Sequence, residues 1–218
     1  TGKPSAGEAP TNHTASYHLV TAAITLLSGW ALVASGKLLL LGAGLLLTTS
    51  ALRKLQIVII HHCAHSNFFA RTSRANSMLG NALSFLMFVE PFKDYRRAHI
   101  ADHHFGRHMT KDDPTVAFLF DRVGLRPGMT SRQAKRRLLT QIMNPDFYLS
   151  GLRSRFKQQA TLSVPAKALM LAFWGAIFTL AIVSQHIPFL IVGWVVPLFV
   201  LYPISTALRL SVEHTFPE

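Results

Sequence analysis

Residues 38–65 read LLLLGAGLLLTTSALRKLQIVIIHHCAH. The opening part, 38–52, is an uncharged apolar run of about 15 residues, or roughly 22 Å of helix, short of the ~30 Å hydrocarbon core of a bilayer. Arg53 and Lys54 follow, and then 55–60 is apolar again. One long helix accounts for the whole stretch if it leaves the bilayer near Arg53, whose long side chain can snorkel to the surface. The cluster His61-His62-Cys63-Ala64-His65 then rides on the water-side extension of a membrane span.

Working outward, 19–35 is an earlier apolar run, closed by Ser35-Gly36-Lys37, and it makes a hairpin with the run after it. A third run covers 168–184. The turn Gln185-His186-Ile187-Pro188 leads to a fourth, 189–208, which Pro197 and Pro203 should bend. The expected fold is an all-α integral membrane protein with four transmembrane helices in two hairpins. Residues 1–18 read as a polar tail and 19–218 as one membrane domain. The stretch 78–92 is too short to cross comfortably and carries Asn81 and Glu90. If it crossed, the histidine clusters on either side of it would face opposite sides of the membrane. A shared site therefore requires it to be re-entrant or interfacial, beneath a histidine-rich helical cap.

Composition agrees with this class. Of 218 residues, 50% are hydrophobic and only 15% charged, and the apolar residues come in runs. The single cysteine excludes an internal disulfide framework. Of 22 Lys and Arg residues, 19 lie between Arg53 and Lys167, outside the proposed bilayer core. The positive-inside rule then places both clusters and both termini in the cytoplasm. Within this region, 131–143 sets Arg132, Lys135, Arg136 and Arg137 beside Leu138, Leu139, Ile142 and Met143, a pattern suited to anionic lipid. A net charge of +12 raises the question of nucleic acid, but four spans and no base-stacking motif argue against it.

The second cluster reads His99-Ile100-Ala101-Asp102-His103-His104. Residues four apart share a helix face, so His61 pairs with His65 and His99 with His103. With His62, His104, His108 and His214, eight imidazoles fall on one side of the membrane. Neutral imidazole binds iron, zinc and copper well. A zinc hydrolase needs about three protein ligands and a water, whereas an oxygen-activating iron pair would use this larger set. Such a pair also suits a lipid substrate, whose unactivated C–H bonds resist acid–base chemistry. His62 could be a ligand or a residue orienting one, and His108, past Gly106, a ligand or a loop residue. Asp102, Asp94 and Glu90 are candidates to hold ligand rings in place. Cys63 points away from His61 and His65 and reads as a small packed residue. His18 and His186 read as isolated polar residues, and Trp30, Trp174 and Trp194 as interface or packing aromatics.

At these residues the chain resembles the membrane fatty acid desaturase and hydroxylase superfamily, whose histidine boxes have the forms H-x3-H, H-x2/3-H-H and H-x2-H-H. His61-x3-His65 is similar to the first box and His99-x3-His103-His104 to the second. The flanks agree: His65-Ser66-Asn67-Phe68-Phe69 after one, Tyr95-Arg96-Arg97-Ala98 into the other, and Asp112-Asp113-Pro114 beyond. The resemblance covers roughly 38–218. It implies two iron ions, dioxygen as co-substrate, a lipid or acyl substrate, and a separate electron donor of ferredoxin or cytochrome b5 type. It implies His61, His65, His99, His103 and His104 as ligands, with Glu213-His214 resembling an extra histidine that some members carry. The third box is missing: the chain stops at Phe216-Pro217-Glu218, which reads as truncation. A fatty acyl desaturase is the leading expectation. A hydroxylase or ketolase acting on a sphingoid, sterol or carotenoid lipid is the alternative. A metal carrier would place its ligands near the bilayer midplane, and a catalytically dead relative would explain only the absent box.

Overall fold

The computed structural model describes residues 12–69, 73–100, 110 and 113–213. Among the described residues all regular structure is helical. Four helices are long and apolar enough to cross a membrane: Thr14–Ala34, Leu38–Ala64, Val164–Val183 and Ile187–Val212. They match the four spans expected from the apolar runs.

Helix α1 (Asn12–Ala34) starts well ahead of the run at 19–35. The polar lead-in is held helical by tertiary contacts that a hydropathy pattern does not show. Ala15 is buried in the core, and the Tyr17 ring lies 5.3 Å beneath the Lys54 ammonium of the next helix. Helix α2 (Leu38–Ala64) has 27 residues, about 40 Å at 1.5 Å per residue, so it outreaches the hydrocarbon core and carries its end into water. The two helices cross closely because glycines meet there. A Cβ on Gly44 would stand 2.7 Å from the Gly29 carbonyl oxygen, and one on Gly29 would stand 2.6 Å from Thr48 Oγ1. Close backbone approach through small residues is a usual way for helices to associate in lipid, where burial of apolar surface supplies little drive.

The second hairpin pairs α8 (Val164–Val183) with α9, which begins at Ile187–Leu190 and ends with Tyr202–Glu213. Between these ends α9 widens to π geometry over Ile191–Val195 and Pro197–Leu201, each just ahead of or at a proline. Pro197 has no N–H for the carbonyl four residues before it, that of Gly193. The Trp30 indole Nε1 donates to this carbonyl at 3.0 Å, and its ring packs edge-on to Trp194 at 5.7 Å. A neighbouring span thus satisfies the backbone group that the proline leaves open. Trp30→Phe removes the donor and part of the packing. It should lower the thermal unfolding midpoint in detergent by a few degrees, as loss of about 1–2 kcal/mol does in a chain of this size. An unchanged midpoint would remove this bond from the account of α9.

Helix α3 (Ser73–Leu86) has 14 residues, about 21 Å, too short to cross. It occupies the stretch expected to be re-entrant or interfacial but starts earlier than 78, because Asn76, a polar residue invisible to hydropathy, is fully buried. Three non-glycine residues with positive φ end helices in this fold: Ser66 (57°), Phe88 (48°) and Gln185 (58°). Each sits in a Schellman motif. For Phe88, its own N–H bonds Phe85 O at 3.2 Å and the Val89 N–H bonds Ser84 O at 3.2 Å. An aromatic residue in the left-handed region costs about 1 kcal/mol or more. Edge-on contacts of its ring with Phe156 (5.0 Å) and Phe199 (6.3 Å) offset that.

The exit from α3 is pinned by other helices. Trp174 Nε1 donates to Phe85 O at 3.1 Å, Arg155 Nη1 to Met87 O at 3.4 Å, and Gln159 Nε2 to Val89 O. These are carbonyls at or just past a helix end, where the regular intrahelical ladder stops. Burial lowers the Arg155 pKa to about 10, so it stays charged at neutral pH, with its guanidinium 5.1 Å from the Phe199 ring. Pro91 then opens α4 (Phe92–Arg97). After the second cluster the chain forms α5 (Pro114–Ala117, continuing in π geometry over Phe118–Val123), α6 (Ser131–Ile142) and α7 (Pro145–Gln159). Thr130 and Gln133 form a capping box on α6, and Asn144 caps α7 ahead of Pro145. Leu119, Val123 and Phe147 pack with Ala207 and Leu210 of α9 in a second small core.

Candidate metal centre

Two helix ends build the site. The first is the C-terminus of α2. Its π segment, Leu55–Ile60, inserts the equivalent of one residue. That turns everything beyond it by about 100° relative to the spanning part. The Tyr202 hydroxyl of α9 donates to Gln56 Oε1 inside this segment, tying it to the neighbouring span. Helical geometry resumes at His61–Ala64 and stops at once, with His65 as the last helical residue. Ser66 N–H bonds Cys63 O at 2.9 Å and Asn67 N–H bonds His62 O at 3.0 Å, completing the Schellman cap. His61 and His65, one turn apart, project together, with ring centroids 4.9 Å apart.

The second is the end of α4, which opens into π geometry over residues 98–100 and delivers His99. The His99 ring lies 4.5 Å from that of His61 and 5.1 Å from that of His65, centroid to centroid. His65 Nε2 and His99 Nε2 are 3.2 Å apart. One ring nitrogen from each of His61, His65 and His99 falls within 4.8 Å of the others, all three half-buried. Two nitrogens on one first-row ion, at bonds of about 2.1 Å, stand roughly 3–4 Å apart, a spacing that His65 and His99 meet, and the three residues together could hold a metal ion. Tyr95, one turn before His99, stacks on its ring at 5.3 Å with the planes 8° apart. Burial pushes the Tyr95 hydroxyl well above the usual phenol range, so it stays neutral beside the imidazole.

The remaining sequence candidates separate clearly. His62 turns aside: its Nδ1 donates to Asn67 Oδ1 at 3.0 Å. Cys63 is fully buried in the main core and stands apart from the imidazole triad. Asp94 accepts a bond from Thr161 Oγ1 at 3.2 Å, which fastens the start of α4 to the end of α7. Glu90 is half-buried. Burial and the neighbouring Asp94 raise its carboxyl above the usual range, with Arg97 pulling the other way. Asp102, His103, His104, His108 and His214 lie outside the described residues.

Sequence reasoning passed over Asn76. From α3 its Oδ1 accepts from the N–H groups of Phe68 (3.1 Å) and Phe69 (3.0 Å), and its Nδ2 donates to Phe69 O at 3.3 Å. One side chain thereby holds the segment that leaves His65. An open groove of about 400 Å3 runs along α2, lined by Leu46, Thr49, Ser50, Arg53, Lys54, Ile57 and Val58, with Ser205 from α9. None of the three histidines lines it.

A sequence model of the family described as "Fatty acid desaturase" matches residues 15–218. The chain belongs to the fatty acid desaturase family. No curated protein and no solved structure matches it. Membership agrees with what the helices assemble: four spans, and imidazoles from two histidine boxes brought to one point. The desaturase family acts on lipids, and this chain is therefore a membrane protein of a lipid-acting enzyme family. The π segments, one before the first box and one spanning the first histidine of the second, have no signature in hydropathy, and only a helical register worked out in three dimensions reveals them.

Proposed function

We propose that the chain is an oxygen-dependent di-iron lipid oxidoreductase that introduces a double bond into a fatty acyl chain. The observation that carries this reading is the meeting of His65 and His99, from boxes 34 residues apart in sequence, at 3.2 Å between Nε2 atoms. His61, His65 and His99 would hold one metal. His103, His104 and His214 complete the ligand set by the family motif, with His108 and Asp102 as orienting residues or further ligands, while His62 is held away from the triad.

Iron bound there would supply oxidation of an unactivated C–H bond at the expense of dioxygen, chemistry that side-chain acids and bases do not reach. Everything else falls to the protein. Tyr95 fixes the plane of the His99 ring, and the Schellman cap at Ser66 ends α2 so that His65 faces inward. Asn67 keeps the His62 ring turned aside. Desaturation removes two hydrogens from adjacent carbons. With one dioxygen reduced to two waters, the balance requires two further electrons and two protons. A separate donor of ferredoxin or cytochrome b5 type would deliver the electrons, docking on the basic side of the protein, which the positive-inside rule assigns to the cytoplasm.

The test is turnover of a lipid panel by the protein reconstituted with iron, a reductase and its carrier, under air and under nitrogen, with products read by mass spectrometry. Loss of two hydrogens, only under air, supports the desaturase. Gain of one oxygen atom assigns a hydroxylase or ketolase instead. Iron that binds without any oxygen-dependent product would sink the catalytic reading.

A further inference from the structure

Helices α6 and α7 each present an outward face that no described residue covers. On α6, Arg132, Arg136, Leu139 and Met143 fall at intervals of four, three and four residues and so form one stripe. The opposite side of α6 carries Ala134 and Leu138 into the second core. Leu139 is 64% exposed and Met143 80% exposed. On α7, Phe147, Gly151 and Gln159 are buried. The other side holds Leu149 (46% exposed) and Phe156 (59% exposed) with Arg153 between them. Four large apolar side chains therefore stand out of a segment whose exposed charges are almost all positive. Helix α6 has no acidic residue, and α7 has only Asp146.

Connectivity places this face at a bilayer surface. Helix α7 ends at Gln159 and the span α8 begins at Val164. Four intervening residues reach no more than about 17 Å. The exposed Phe156 also packs on Phe88, which packs on Phe199 inside the fourth span. That chain of contacts ties the exposed ring closely to a span. Apolar side chains with flanking Arg and Lys on one helical face are the chemistry of an interfacial helix on anionic headgroups.

We infer that the outward face of α6 and α7 seats on the bilayer, with Leu139, Met143, Leu149 and Phe156 among the acyl chains. Arg132, Lys135 and Arg136 bind the phosphates of anionic phospholipids. The metal centre plays no part in this reading, so it stands or falls apart from the proposed catalysis.

The experiment uses the full chain carrying Met143→Cys, labelled with a polarity-sensitive fluorophore. Cys63 is fully buried, and the unsubstituted chain serves as the labelling control. The protein is placed in phosphatidylcholine bilayers with and without phosphatidylglycerol. The label is challenged with a spin-labelled lipid and with aqueous iodide. The expected result is quenching by the lipid probe and several-fold protection from iodide when phosphatidylglycerol is present, weakening as salt is raised. The combined variant Arg132→Gln, Lys135→Gln, Arg136→Gln should abolish the dependence on phosphatidylglycerol while leaving the thermal midpoint unchanged, since all three side chains are exposed. Equal iodide access in both bilayers overturns the proposal. So does iodide access that is lost only when an acidic electron-carrier protein is added, which would make the face a protein dock.

Discussion

Alanine at His99 should reduce iron retained through purification by more than about tenfold while leaving the helical fold intact. The magnitude follows from the geometry. Three ring nitrogens within 4.8 Å of one another form the described part of the site, and removal of His99 leaves, among the described ligands, the two that α2 provides. Even the loss of a residue that merely orients a ligand weakens metal binding by roughly 10–100-fold, and loss of a ligand should exceed that. The ring is half-buried and its stacking partner Tyr95 stays in place. The stability change should therefore be small beside the change in metal. His65→Ala should act alike, because His65 is the other member of the close pair. His186→Ala supplies the control. It is an exposed residue at the start of α9, and its Nδ1 is engaged by Ser184 O in the α8–α9 turn, at the far end of that helix from the basic region. Elemental analysis of the three variants beside circular dichroism decides the matter. Equal iron in all of them would detach the triad from metal binding.

The same pair of helices shows how far a sequence carries. Four apolar runs with hairpin turns were readable because a span must satisfy its backbone internally over about 20 residues. The meeting of His61, His65 and His99 followed from helical spacing and from the demand that both clusters share a membrane face. The π segments at Leu55–Ile60 and at 98–100 were not readable, because no proline or glycine marks them. In α9 the prolines do mark them, and bending there was expected. Trp30 and Trp174 had been read as packing aromatics, yet both donate to carbonyls at irregular points of neighbouring helices. Such bonds depend on which helices become neighbours, and a linear pattern does not hold that information. The early start of α1 and of α3 has a related origin: Ala15 is buried in the main core, and Asn76 bonds the backbone of Phe68 and Phe69 beyond the end of α2.

Asn76→Leu should lower the thermal unfolding midpoint by about 10 °C or more and weaken iron retention with it. The side chain is fully buried and makes three hydrogen bonds to the backbone of Phe68 and Phe69. Leucine keeps the branched shape and the heavy-atom count, but its bulkier methyls must be fitted into a closed site, and it leaves two donors and one acceptor without the partner that held them. Each buried group so stranded costs about 1–3 kcal/mol, and partial access of Phe69 to water reduces the sum to roughly 3–5 kcal/mol. At about 2–4 °C per kcal/mol for a chain of this size, that sum is the expected fall in midpoint. The effect on iron arises because Phe68 lies three residues past His65, on the far side of a left-handed cap at Ser66. If the segment at 68–69 is released, the cap loses its anchor, and His65 is free to rotate away from His99. Asn76→Asp separates the two effects. It keeps an oxygen to accept both N–H groups and gives up the bond to Phe69 O, where its charge also faces a carbonyl. Its midpoint should fall between those of the native chain and the leucine variant, and its iron content should follow the same order. If the leucine variant melts early yet holds iron as tightly as the native chain, Asn76 supports the fold but does not position His65. A native midpoint would mean that the three bonds contribute nothing to stability.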